Sequence, residues 1–155
     1  MKQPNNKSTR KNPVGRFMVA IGALIEHIPS GKILIVKRSD KLDWRPGEWE
    51  ITYGRIAQFE SAEEGLIREV KEETGIDNLQ IGCVIRVWHI YRGNKSAEND
   101  LIGVTYVCKT QSQKVKISDE HTKYRWVSPA QALDLIEIKD MKQDVELFIK
   151  QSHSK

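Results

Sequence analysis

The sequence predicts a mixed α/β domain, on three observations. One stretch, 61–75, carries helical periodicity with start and stop signals of its own. Five runs rich in apolar, β-branched and aromatic residues, 17–27, 32–38, 79–91, 101–109 and 124–127, read as strands. The helical stretch falls between the second and third runs, and two more helical segments follow the last, so strands and helices interleave. At 155 residues and 17.8 kDa the chain is expected to bury a proper core as one domain over 15–152.

Taken in order, residues 1–14 are polar and aperiodic and are expected to form a disordered basic tail. Lys2, Lys7, Arg10, Lys11 and Arg16 fall in the first 16 residues with no acid among them. Removing those five from the 25 basic residues leaves 20 against 21 acids, so the body is near neutral. The pI of about 9.0 therefore does not indicate a nucleic-acid surface. No apolar run approaches a membrane span, and the N-terminus is not signal-like, so a cytoplasmic protein is expected.

Residues 17–27 (FMVAIGALIEH) are apolar almost throughout, as in a strand buried on both faces. Pro29, Ser30 and Gly31 make a turn, and 32–38 (KILIVKR) returns as the second arm of a hairpin. Lys37 and Arg38 end that arm, either as a charged strand terminus or as cations facing an anionic substrate. The loop 39–48 (SDKLDWRPGE) is punctuated by Pro46 and Gly47. Its Trp44 and Arg45 are candidates to hold a base or sugar, with packing of Trp44 on its own scaffold as the alternative.

In the helical stretch, Ser61 and Glu64 form a capping box, and Gly75 stands where a left-handed terminating residue is wanted. Leu66, Ile67, Val70 and Thr74 make an apolar stripe, and Glu69, Glu72 and Glu73 share the neighbouring arc. Like charges at this spacing cost a helix about 0.2–0.5 kcal/mol per pair. Arg68 reaches Glu72 at i+4 but cannot neutralise three acids. Either this is a solvated acidic face, or its hard oxygen ligands hold Mg²⁺ or Mn²⁺. Gly65 costs the helix about 1 kcal/mol relative to Ala; a small residue there is expected to let the Tyr53 and Gly54 segment come near.

Beyond the helix, 79–91 and 101–109 are joined by a polar connection, 92–100, long enough to overhang a site. His89 reads as a strand histidine satisfied by a hydrogen bond, and Cys83 and Cys108 as two small core thiols of a reduced chain. Ser128 and Pro129 open a short helix. In 140–150, Met141, Val145, Leu147, Phe148 and Ile149 suffice to pack an amphipathic helix on the core.

Residues 54–76 read GRIAQFESAEEGLIREVKEETGI. Gly54, Glu60, Arg68, Glu69, Val70, Glu72, Glu73, Gly75 and Ile76 fill every fixed position of the Nudix box at its spacing, so the chain resembles the Nudix hydrolases. The box covers a small part of the chain. The resemblance implies an α/β/α sandwich with a mixed β-sheet between helices. It implies hydrolysis of the pyrophosphate linkage of a nucleoside diphosphate derivative by metal-activated water, with Mg²⁺ as cofactor and Mn²⁺ as a substitute. Glu69, Glu72 and Glu73 are then metal ligands, assisted by the carbonyl of Tyr53 or Gly54. Arg68 and Glu60 pair to orient Glu69, and the base is Glu69 or Glu120. Glu120, just before the last strand, stands in the region where relatives often carry a further ligand or base, with Asp119 as its competitor and a solvated loop acid as the alternative.

One departure stands out. Relatives often read Trp-x-Leu-Pro-Gly-Gly on entering the box, whereas Thr52 and Tyr53 here replace the Pro and the first Gly. A side chain at Tyr53 is expected to narrow or reshape the substrate site. Two other classes are open to this chain: a nucleotide-binding sensor module without catalysis, and an isoprenoid-type diphosphate isomerase. The complete acid set counts against the first, and the lack of a cysteine in an evident site motif against the second. The particular nucleoside derivative and the oligomeric state are not fixed by these residues.

Overall fold

The computed structural model describes residues 15–153, so the tail expected over 1–14 lies outside the described residues. Strand β1 (Met18–His27) and strand β2 (Lys32–Arg38) pair antiparallel only beside their turn, through Glu26 with Ile33 and His27 with Lys32. They then diverge, and the segment leading into the box fills the gap. Strand β3 (Trp49–Glu50) pairs with β2, and β4 (Thr52–Arg55) pairs with β1 from Ala20–Arg55 to Ala23–Thr52.

Helix α1 (Ala62–Thr74) follows, then β5 (Gln80–Tyr91) and β6 (Asp100–Thr110) as an antiparallel pair. Strand β6 runs parallel to β1 along its whole length, which makes the seven-stranded sheet mixed. Strand β7 (His121–Val127) pairs with β2, and helices α2 (Pro129–Leu135) and α3 (Lys139–Ser152) close the described chain.

Strand alternation builds the layers. Ile21, Ala23 and Ile25 of β1, with Leu34 and Val36 of β2, pack on Leu66 and Val70 of α1. The residues between them, Leu24, Ile33 and Ile35, pack on Ala132 of α2 and Met141, Val145 and Phe148 of α3. The sheet therefore lies between helices, the predicted α/β/α sandwich, and both faces of β1 and β2 are covered. Among the described residues no helix is long and apolar enough to cross a membrane.

Two readings of the sequence need correcting. Ile67 is 45% exposed, whereas Gly65, Leu66, Val70, Glu73 and Thr74 are buried. Helix α1 is rolled toward its acidic side, because that side meets β4. Cys108 is buried, but Cys83 is exposed on β5, where the strand is irregular between Ile81 and Val84 and lies last in the sheet order. His89 is hydrogen-bonded, to Asp100, as expected.

Candidate active site

Ser61 and Glu64 start α1 as the predicted capping box: the Ser61 hydroxyl accepts from the Glu64 amide at 3.3 Å, and the Glu64 carboxylate from the Ser61 amide at 2.9 Å. Gly75 ends the helix at φ 70°, the left-handed conformation glycine adopts freely. These ends fix which side chains face β4. A Cβ added to Gly54 would fall inside the Glu69 carboxyl group, so helix and strand are as close as only glycine permits. Gly65 serves a different neighbour than predicted. A Cβ there would meet Glu60 Oε2 and Ile21 Cδ1 at 3.0 Å, not the Tyr53–Gly54 segment.

Arg68 organises the acids around it. Its Nε and Nη2 donate to the two oxygens of Glu60 at 2.7 and 2.8 Å, a bidentate fork. Nη1 donates to Glu69 Oε1 at 2.8 Å and to Glu72 Oε2 at 3.3 Å, and Nη2 also reaches the Arg55 carbonyl at 3.1 Å. The fork, helped by the Ala57 amide, holds Glu60 down at a pKa of about 2.

Glu73 is the opposite case. It is 5% exposed and, among the described residues, its Oε2 has no hydrogen-bond partner. Burial, and then the charges of Glu50, Glu69 and Glu120, push its carboxyl well above the ordinary range; Arg38 only partly offsets them. Glu50 is itself 1% exposed, accepting from Arg38 Nη1 at 2.8 Å and lying 3.2 Å from His121 Nε2, with its own Oε2 unpartnered among the described residues.

A cavity of about 440 Å³ runs past these groups. Glu50, Gly54, Arg68, Glu69, Glu73 and Glu120 line one part; Trp44, Tyr53, Trp88, Ile90, Leu101 and Met141 line the rest. The structure thus brings most of the predicted residues to one place, with exceptions. Glu72 is turned outward, with its side chain 61% exposed and held by Arg68, and Asp119 does not line the cavity where Glu120 does. Arg45 is exposed, paired with Glu48 at 3.5 Å, and also off the lining.

Arg38 reaches the cavity, but its guanidinium is engaged inside the protein, donating to Glu50 and to the Trp44 carbonyl at 2.8 Å. The guanidinium carbons of Arg38 and Arg45 lie 5.2 and 5.7 Å from the centre of the Trp44 ring, and Trp44 packs on the core. The 92–100 connection does reach the site: Arg92 lines the cavity and pairs with Asp43 of the facing loop at 3.0 Å.

Tyr53 leaves the approach of α1 unobstructed. Successive residues of a strand point to opposite faces, so Gly54 turns toward α1 and Tyr53 toward α3. Its ring lies on Gly22, where any side chain would collide with it. Its hydroxyl donates to Asp144 Oδ2 at 2.8 Å and touches that of Thr105. Burial, and then the Asp144 charge, hold the hydroxyl well above the usual tyrosine range, so it stays protonated. Trp88 stands edge-on to it at 5.5 Å and 74°, so Tyr53 reshapes the cavity wall.

Glu50, His121, Arg86 and Asp144 were missed by sequence reasoning. Only Asp144 left a trace there, as an acid inside the apolar spacing Met141–Val145–Phe148 of α3. Among the described residues no three Asp, Glu, His or Cys side chains already converge as a ligand set, because Glu69 and Glu72 are drawn to Arg68. The unpaired, buried Glu73 oxygen, which feels the charges of Glu50, Glu69 and Glu120, nevertheless fits a hard divalent cation.

The NUDIX domain model matches residues 16–150. Nucleoside triphosphatase NudI of Escherichia coli (strain K12) is 31% identical over 107 residues, spanning 64% of this chain and 74% of that protein. The MutT protein from Methanosarcina mazei Go1 is 26% identical with a TM-score of 0.73, over 93% of this chain and 100% of that one. The NUDIX domain of Shewanella oneidensis NrtR, complexed with ADP ribose, shares the fold at 18% identity and a TM-score of 0.69, over 92% and 94% of the two chains. A complete box, the sandwich that carries it and a family match along nearly the whole described chain have one reading: the chain belongs to the NUDIX domain family and is a Nudix-type hydrolase.

Proposed function

We propose that residues 15–152 form a Mg²⁺-dependent pyrophosphohydrolase that cleaves a nucleoside diphosphate derivative, with nucleoside triphosphates the first class to test. The observation that carries this is Glu73: a buried carboxylate with an orphaned oxygen, faced by Glu50, Glu69 and Glu120. Glu69, Glu73 and the carbonyl of Gly54 or Tyr53 would hold the ion, with Glu72 able to swing in from solvent. Mn²⁺ suits the same oxygen donors. When bound, the ion supplies charge neutralisation on the diphosphate and lowers the pKa of the attacking water.

The chain's own residues do the rest. Arg68, anchored by Glu60, fixes Glu69 and keeps α1 against β4. Glu120 lines the cavity and has no ion pair among the described residues, so it is placed to take the proton of the attacking water. The water oxygen bonds to phosphorus as the bridging P–O bond breaks, and the leaving phosphate departs toward the open cavity. The aromatic and apolar part of the lining suits the nucleoside.

NudI, a nucleoside triphosphatase by name, supports the substrate class. The isomerase alternative finds no thiol at the site: neither Cys83 nor Cys108 lines the cavity. A panel of nucleoside diphosphate derivatives and triphosphates, incubated with Mg²⁺ or EDTA and read by product mass, tests the proposal. Mg²⁺-dependent products carrying one added water support it. Bound but unaltered substrate would identify a sensor module, and a product of unchanged mass an isomerase.

A further inference from the structure

We infer that the corner formed by Tyr53 and Trp88 seats the substrate's nucleobase, and that Asp144 of α3 is the positioning residue that holds this corner in shape. The inference rests on the reading of the acidic part of the cavity as the phosphate end. Both rings line the cavity, and each lies on a glycine that any side chain would displace: Tyr53 on Gly22 of β1, Trp88 on Gly103 of β6. These strands are parallel neighbours, with Ala20 beside Gly103 and Gly22 beside Thr105, so the two glycines open one continuous floor. The rings meet edge to face at 74° and leave an angled aromatic recess. Tyr53 and Gly54 are consecutive in β4, so this recess and the acidic part share one strand.

The polar atoms of both rings are tied down behind the recess. Trp88 Nε1 donates to Tyr53 Oη and to Thr105 Oγ1, at 3.2 Å each. Tyr53 Oη and Thr105 Oγ1 both reach Asp144 Oδ2, at 2.8 and 2.9 Å. Arg86 donates through Nε to Asp144 Oδ1 and through Nη2 to the Asp140 carbonyl at 2.7 Å. Asp144 is fully buried. Stability alone is served as well or better by apolar residues in place of such a buried pair. What the pair adds is geometry: one carboxylate fixes side chains from β4, β5 and β6 against α3. A recess held this way is pre-organised for a flat ligand, and base stacking on aromatic side chains accepts any base with a π-face.

The test is calorimetric binding to the intact protein in Mg²⁺, with probes that carry no pyrophosphate linkage to cleave. The probes are the four common nucleoside 5′-monophosphates and ribose 5-phosphate, so a failed hydrolase reading does not disturb the result. The wild type should bind at least one monophosphate about tenfold more tightly than ribose 5-phosphate. Trp88→Leu should bring the two within about twofold, with ribose 5-phosphate affinity unchanged. Asp144→Asn and Tyr53→Phe should lower the base advantage several-fold and leave ribose 5-phosphate alone, a split that a general loss of structure does not produce. Equal or absent binding of both probes to the wild type, or a base advantage that survives Trp88→Leu, overturns the inference. Should the variants not fold, NOEs in the wild type between base protons and the Tyr53 and Trp88 rings decide it. Their presence supports the assignment, and bound monophosphate without them refutes it.

Discussion

Glu73→Gln should make the metal-free protein more stable and the enzyme inactive. Glu73 is 5% exposed, one of its oxygens is unpartnered, and Glu50, Glu69 and Glu120 all disfavour its charge. The sign follows from linkage. An acid whose folded pKa lies above its ordinary 4.5 contributes no penalty below that pH. As pH rises past it, the unfolded chain releases the proton and the folded chain keeps it, so stability falls until the folded pKa is passed. Glutamine carries no such penalty, and its amide can donate to the acids nearby.

Relieving an unsatisfied buried group of this kind is worth about 2 kcal/mol, and a chain of this size gains ~2–4 °C of Tm per kcal/mol. In EDTA at pH 8 the variant should therefore melt ~4–8 °C above the wild type, with the gap closing toward pH 4. Mg²⁺ at a hundred times its dissociation constant should stabilise the wild type by about 2.7 kcal/mol and the variant far less. Thermal melts across pH, with and without Mg²⁺, and phosphate release on the same samples measure all three effects. A variant that melts at or below the wild type in EDTA at pH 8, or that keeps full turnover, refutes this account of Glu73.

Two other expectations are simpler to check. Gly54→Ala places a methyl group inside the space of the Glu69 carboxyl, so steady-state kinetics should show kcat reduced about 10²-fold, as for an ångström-scale misplacement; unchanged kcat would mean that close contact of β4 and α1 is not needed. In the native protein a thiol reagent should label Cys83 quickly and leave Cys108 untouched, because burial removes access to Cys108 and pushes its pKa up to about 12; peptide mass mapping showing native labelling at Cys108 would contradict its place in the core.

Much of the fold was readable because its signals are local. The capping box at Ser61, the left-handed stop at Gly75 and the continuous apolar runs of β1 and β2 each express a backbone or burial preference within a few residues. The box residues likewise lie on one helix and the segment leading to it, so their clustering around Arg68 follows from helical spacing. The wedge of β3 and β4 between diverging β1 and β2 has no such local cue.

What the sequence determined by itself was therefore the helix, its carboxylates and the family that uses them. Tertiary structure decided which of those acids is buried, why Arg38 is already committed to Glu50, and how Tyr53 fits. Roll of α1 and register of β4 against β1 are collective outcomes of packing, and they alone put Glu73 inside and Glu72 outside. Tyr53, Gly22, Trp88, Gly103 and Asp144 are scattered along the chain, and only folding makes them neighbours.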